Sequence, residues 1–281
     1  MEERPPLTIR TRRRILTCAL LARRGTCARI KLSRLTALDW EGCVNVRDLG
    51  GIPTEDGRRT RTGALVRADN IRRLTDTGWR ALEEHGVRRI VDLRWPEELA
   101  QDPPRDVDIE VVHVSLLGET VADPEYIAYL DAHLDSVDDV ADHYAWSYLD
   151  FLERYRERFG LAVAAIADAP DGVVLFHCAG GKDRTGLIAA LLLRLAGASR
   201  DDIGEDYAVS EANLAPIVTG LISQIEDDVQ RRRSEKLART PAAAMVRVLE
   251  AVDERYGGVD GYLRAAGVTD EQLERLRERL R

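Results

Sequence analysis

Between Val173 and Gly197 the chain reads VVLFHCAGGKDRTGLIAALLLRLAG, and no other stretch limits the possible folds so strongly. Val173, Val174, Leu175 and Phe176 form an unbroken apolar run behind Gly172, the pattern of a strand covered on both faces. From Thr185 onward Leu187, Ile188, Leu191, Leu192, Leu193 and Leu195 leave almost no polar side, so this segment is a core helix with Gly197 as its cap. A strand and a helix that are both buried need layers around them. With strands and helices alternating before this point, the expected class is α/β: a mostly parallel central sheet flanked by helices, followed by a helical C-terminal part.

The loop between strand and helix, His177-Cys178-Ala179-Gly180-Gly181-Lys182-Asp183-Arg184, lies where backbone N–H groups are unpaired and a helix dipole favours an anion. Gly180 and Gly181 give the backbone freedom to turn successive amides around one phosphate. Arg184 can grip two phosphate oxygens at once, which a lysine cannot. The same positive field favours Cys178 as a thiolate; comparable settings bring cysteine pKa values to roughly 3.5–7.5. A thiolate beneath a bound phosphate is placed for in-line attack on phosphorus. A nucleotide P-loop is excluded, because Lys182 is followed by Asp183 and Phe176 stands where the first glycine should be. A loop that binds phosphate without turning it over, as in an adaptor, stays open.

HCAGGKDRTG resembles the Cys-x5-Arg phosphatase signature, and its ending is similar to that of the bacterial tyrosine-phosphatase family, which also includes phosphoinositide phosphatases. NVRDLGG at Asn45 to Gly51, TGALVRAD at Thr62 to Asp69, GVRRIVDLR at Gly86 to Arg94 and YGGVDGYLRAAG at Tyr256 to Gly267 follow in that family's order. The resemblance runs from about Leu35 to the end. It implies a phosphatase-like fold, a cysteinyl-phosphate intermediate and no cofactor or metal. Its substrate would be a phosphorylated protein, phosphotyrosine first, or a phosphoinositide.

Carried over residue by residue, the resemblance makes Cys178 the nucleophile, with Arg184 and the loop Ala179, Gly180, Gly181, Lys182 and Asp183 as the phosphate cradle. Thr185 would assist the departing thiolate, and His177 would tune Cys178 through backbone contacts. For the general acid, Asp92 comes first, because it matches the family's Asp-Leu-Arg motif and ends a strand at the edge where α/β sheets bind ligands. Asp183 comes second and Glu97 third, while Glu98 reads as structural. Lys182 either meets a second phosphate or only adds positive potential. Relatives carry a helical cover, which would fall at about residues 213–245; Arg231, Arg232 and Arg233 would there meet further phosphates or form a solvated face.

The net charge of −8 conceals an asymmetry, since residues 1–34 hold ten Lys/Arg against two Asp/Glu. The acidic remainder argues against a nucleic-acid partner. Residues 1–34 read as a disordered tail or an over-long start before a phosphatase domain of residues 35–281, with a signal peptide or a membrane-surface segment as lesser alternatives. The apolar run Ile15 to Ala22 is too short to span a bilayer, so no stable membrane insertion is expected. Four cysteines without metal spacing or a disulfide framework point to a reducing cytoplasm.

Elsewhere, Asn45 to Gly51 reads as a strand entering a turn, with Arg47 and Asp48 a buried structural pair, and Ala64 to Arg67, Val87 to Arg94 and Ile109 to Leu116 as strands. Thr75 caps a helix running to His85. Gly118 to Asp142, acidic and aperiodic, reads as a mobile excursion. Tyr144, Tyr148, Phe151, Leu152, Tyr155 and Phe159 put one stripe on a single helix and belong to the core more than to a substrate cage. Beyond the loop, helices are expected over Asp202 to Asn213, Ala215 to Ala238, Pro241 to Tyr256 and Thr269 to Leu280.

Overall fold

A five-stranded sheet carries the site, and its register explains why. In the computed structural model, which describes residues 36–119 and 124–281, the strands are β1 (Arg47–Asp48), β2 (Leu65–Ala68), β3 (Val87–Asp92), β4 (Glu110–His113) and β5 (Val173–His177). They lie in the order β1-β2-β5-β3-β4, and only β1 is antiparallel. Ala68, His177, Asp92 and His113 fall in one row across the carboxyl edge. β5 is buried along its whole length in the middle of the sheet, as an unbroken apolar run requires. The basic segment 1–34 lies outside the described residues.

The helices are α1 (Asp76–Glu84), α2 (Pro96–Gln101), α3 (Pro124–Ser136), α4 (Val140–Arg154), α5 (Arg156–Ala167), α6 (Asp183–Leu195), α7 (Arg200–Ile222), α8 (Asp228–Ala238), α9 (Ala242–Tyr256), α10 (Val259–Ala265) and α11 (Asp270–Leu280). α6 follows β5 directly and is buried almost all round. Most of the other helices pack with it over one face of the sheet, while Trp40, Trp79, Leu82 and Ile71 form a smaller core on the other. Thr75 accepts from the Gly78 N–H to start α1, and Thr269 and Gln272 form a reciprocal capping box at α11.

Four expectations are corrected. Residues 124–136 of the acidic excursion are helix α3, whose Ile127, Leu130 and Leu134 line a cleft, Leu134 alone being buried; its aspartates hide this face because their partner, Arg233, lies far along the chain. The aromatic stripe is divided between α4 and α5 at Tyr155, after which Gly160 brings α5 so close to the Ala266 carbonyl that a Cβ would lie 1.9 Å from it. α7 runs through Pro216 to Ile222, because Pro216 and Ala212 are exposed and water can meet the carbonyl that loses its N–H. Arg47 and Asp48 are not a pair: Arg47 bonds Asp206, and the Asp48 carboxylate accepts the N–H groups of Gly50 and Gly63.

Candidate active site

Cys178 sits just past the end of β5 and is 2% exposed. The next three carbonyls are all held by groups outside the loop. Ala179 O accepts from the Asn70 N–H at 3.1 Å, Gly180 O from Asn45 Nδ2 at 3.0 Å, and Gly181 O from Arg67 Nη2 at 2.7 Å. The carbonyl and N–H of a trans peptide point opposite ways, so holding the carbonyls on one side turns the amides to the other. Gly181 has φ +64°, and a Cβ there would lie 2.5 Å from the Ala68 carbonyl, so this position requires glycine. Gly180 has no such restriction; a Cβ there would meet only Leu214 at 4.0 Å.

Arg184, in the first turn of α6, is anchored on two sides. Glu98 of α2 takes both ends of its guanidinium, at 2.6 and 2.9 Å, and its Cζ lies 4.3 Å from the Trp95 ring centroid. Burial works against the Arg184 charge, but Cys178 and Glu98 outweigh it and raise its pKa above the usual value. Glu98 is correspondingly held below its ordinary range, since Arg184 outweighs the effect of burial. Glu98, read from the sequence as structural, therefore fixes the orientation of the Arg184 guanidinium. Pro96 at the first position of α2 and the Glu98 bond to the Trp95 N–H fix this corner.

The two acid candidates lie in opposite settings. Asp92, 1% exposed, is gripped by Arg94 at 2.7 and 3.0 Å, with His177 Nε2 3.5 Å away. Burial opposes its ionisation, yet its pKa is lowered. Because burial holds the His177 imidazole below its own usual value and so neutral, Arg94 is the partner that keeps Asp92 charged. Asp92 faces a narrow space behind the loop with Ile71 and Trp79 and does not line the cleft. The sequence ranks Asp92 first as acid; its carboxylate here lies against Arg94 and outside the lining of the cleft. Asp183 lines the cleft with its side chain 44% exposed and accepts a hydrogen bond from Tyr148. Glu97 does not line the cleft.

That cleft, about 390 Å³, opens over Lys182, Asp183 and Arg184 and is walled by Trp95, Tyr144, Tyr148, Phe151 and aliphatic residues from α3 and α8. Lys182 Nζ donates to Tyr144 Oη and to the Leu237 carbonyl, both at 2.6 Å. Burial pushes its ammonium below the usual pKa, and Asp183 opposes the shift. Thr185 Oγ1 is buried beside the loop and takes no partner among the described residues. Arg233 is spent on Asp131 and Asp135 of α3, and Arg231 on Asp228.

With this geometry, the comparisons with known proteins have a clear sense. The sequence model of the tyrosine phosphatase family matches residues 38–281. The chain belongs to that family. Among its relatives, a tyrosine-protein phosphatase from Nostoc commune is 31% identical over 91% of this chain and 80% of its own length. The triple specificity protein phosphatase PtpB of Mycobacterium tuberculosis is 28% identical over 84% of this chain and 96% of its own. The chain is thus a phosphatase.

Tyr144 and Tyr148 pack in the core, and their hydroxyls reach Lys182 and Asp183. Their burial raises both pKa values well above normal, with Asp183 adding to it, so both phenols keep their protons and donate. Their spacing on α4 was visible, but the arrival of Asp183 from another element was not.

Proposed function

We propose that this phosphatase hydrolyses phosphotyrosine in proteins through a cysteinyl-phosphate. The observation that carries the reading is the cleft over Lys182, Asp183 and Arg184, whose aromatic wall of Trp95, Tyr148 and Phe151 suits a flat aryl ester with its phosphate directed at the loop. Cys178 attacks phosphorus and the ester P–O bond breaks, with Asp183 delivering the proton that the leaving oxygen takes. Arg184 and the loop amides stabilise the equatorial oxygens. Water then attacks the cysteinyl-phosphate, Asp183 accepts its proton, and Cys178 leaves as thiolate, assisted by the Thr185 hydroxyl, which takes no partner among the described residues. A working thiolate supports a reducing compartment such as the cytoplasm; no helix among the described residues is long and apolar enough to cross a membrane. Residues 213–245 serve as a cover in this reading, because α8 closes the Lys182 side of the cleft. A phosphoinositide is the second reading, favoured by Lys182, whose ammonium would face a second phosphate once the Leu237 carbonyl withdrew.

The test is phosphate release from aryl phosphates, phosphotyrosine peptides and phosphoinositides, with EDTA present. Cys178→Ser should lose roughly 10³-fold or more. Asp183→Asn should slow esters with poor leaving groups by roughly 10²–10⁴ and good ones far less, whereas Asp92→Asn should lower folded yield without that dependence. Activity that requires metal or survives Cys178→Ser would overturn the mechanism. Retained phosphopeptide binding without turnover in the native enzyme would make it an adaptor.

A further inference from the structure

Behind the loop lies a buried charge cluster that takes no part in the chemistry just described. Asp206 of α7 is 4% exposed and holds two arginines: Arg47 Nε at 2.7 Å and Arg67 Nη1 at 2.5 Å. Arg67 uses its other terminal nitrogen on Gly181 O, at 2.7 Å. Arg47 donates to Asn45 Oδ1 at 2.7 Å, which directs the Asn45 amide nitrogen at Gly180 O, 3.0 Å away. Two successive loop carbonyls are thus pulled toward the sheet by donors that both trace back to one carboxylate.

We propose that Arg67 and Asn45, held by Asp206 and Arg47, are positioning residues that create the phosphate site by fixing the Gly180 and Gly181 peptides with their N–H partners turned to the anion. Two physical points support this. Left alone, glycine peptides interconvert easily, and a flipped one would present a carbonyl oxygen to a dianion. Burying three charges to hold two carbonyls is costly, since such a cluster gives little net stability over an apolar core; what it supplies is a fixed orientation. Burial and the neighbouring Arg47 push Arg67 down to about 10, yet Asp206 and Cys178 favour its charge, so Arg67 remains a cation beneath the nucleophile at neutral pH. Arg67 also lends the thiolate a second positive charge besides Arg184.

This proposal rests on the reading of the loop as the phosphate site. The experiment measures inhibition by inorganic phosphate and vanadate, and kcat/KM against pH, for the wild type, Arg67→Met, Arg67→Lys and Asn45→Asp, each judged on its folded fraction by circular dichroism. Arg67→Met should weaken phosphate inhibition at least tenfold, lower kcat more than it raises KM, and move the acid limb of kcat/KM to higher pH. Arg67→Lys should restore the limb, because it keeps the charge, but recover the inhibition only in part. Asn45→Asp, which can still pair with Arg47 but no longer donates to Gly180, should weaken inhibition several-fold and keeps the test open should Arg67→Met fail to fold. Folded variants with unchanged inhibition and pH profile would overturn the positioning role and leave the cluster purely structural. If the wild type itself is not inhibited by phosphate or vanadate, the reading of the loop fails instead.

Discussion

The site has a back and a front built on opposite electrostatic plans. Behind the loop, Asp206, Arg47 and Arg67 are all nearly inaccessible and joined at 2.5–2.7 Å. In front, α3 and α8 meet through Arg233, Asp131 and Asp135, whose side chains are 24–47% exposed. Water screens the front pairs, so each contributes little to stability. The buried cluster cannot lose Asp206 without stranding two buried cations. The difference teaches which half can move. The loop is held by buried groups that water does not reach, whereas α3 and α8 meet through charges that solvent can also satisfy, and the firm point of the front is the Leu237 carbonyl bonded by Lys182 and Tyr144.

The largest effect expected from this contrast is on stability. Asp206→Ala should cost about 3–5 kcal/mol, because two buried arginines lose their counter-charge, and lower the melting temperature by roughly 10 °C or more. Asp135→Ala, at the front, should leave the melting temperature nearly unchanged. Thermal melts followed by circular dichroism compare the two. Equal drops would show that the front is as firmly built as the back.

The uneven legibility of this molecule has the same origin. The strand, loop and helix from Val173 to Leu195 could be read because their determinants are consecutive: an apolar run, glycines and a second apolar run. Helix α3 could not, because the charges that neutralise its aspartates sit on α8, about a hundred residues later. Asp92 could be placed at a strand end, but strand position does not say which way the side chain faces, and Arg94, two residues on, turned it into an ion pair. Glu98 and Arg184 are 86 residues apart, and Arg67 and Asp206 139. Pairings at that separation leave no local pattern.

A smaller effect is expected on turnover. Arg233→Ala removes both contacts to α3 and should leave the melting temperature nearly unchanged. If the front wall must part to admit a protein, rates with bulky phosphopeptides should rise by up to about fivefold, while a small aryl phosphate gains less. Steady-state kinetics on the two substrates check this. Equal gains on both would place the effect in the loop and not in the wall.

The smallest effect concerns acid, and it can be watched from within the front wall. His133 of α3 stacks on Trp146 of α4 with centroids 3.9 Å apart, and its Nδ1 lies 3.3 Å from Nδ1 of His143. Burial and the neighbouring His133 push His143 down to about 4, with Lys236 and Lys182 acting the same way and Asp131 alone opposing. A histidine whose folded pKa is depressed favours the folded arrangement above its unfolded value, and that advantage is lost as the pH falls toward the folded value. The loosening should therefore develop between about pH 6.5 and 4. A proton on His143 places a cation at the half-buried contact between α3 and α4 and loosens it. Trp146 emission should change across that window in the wild type and stay flat in His143→Phe. Asp92 and Asp206 act in a lower range: their depressed pKa values keep the back intact until the pH drops below roughly 4. If far-ultraviolet dichroism and Trp146 emission changed together, front and back would be one cooperative unit, and the contrast between them would fail.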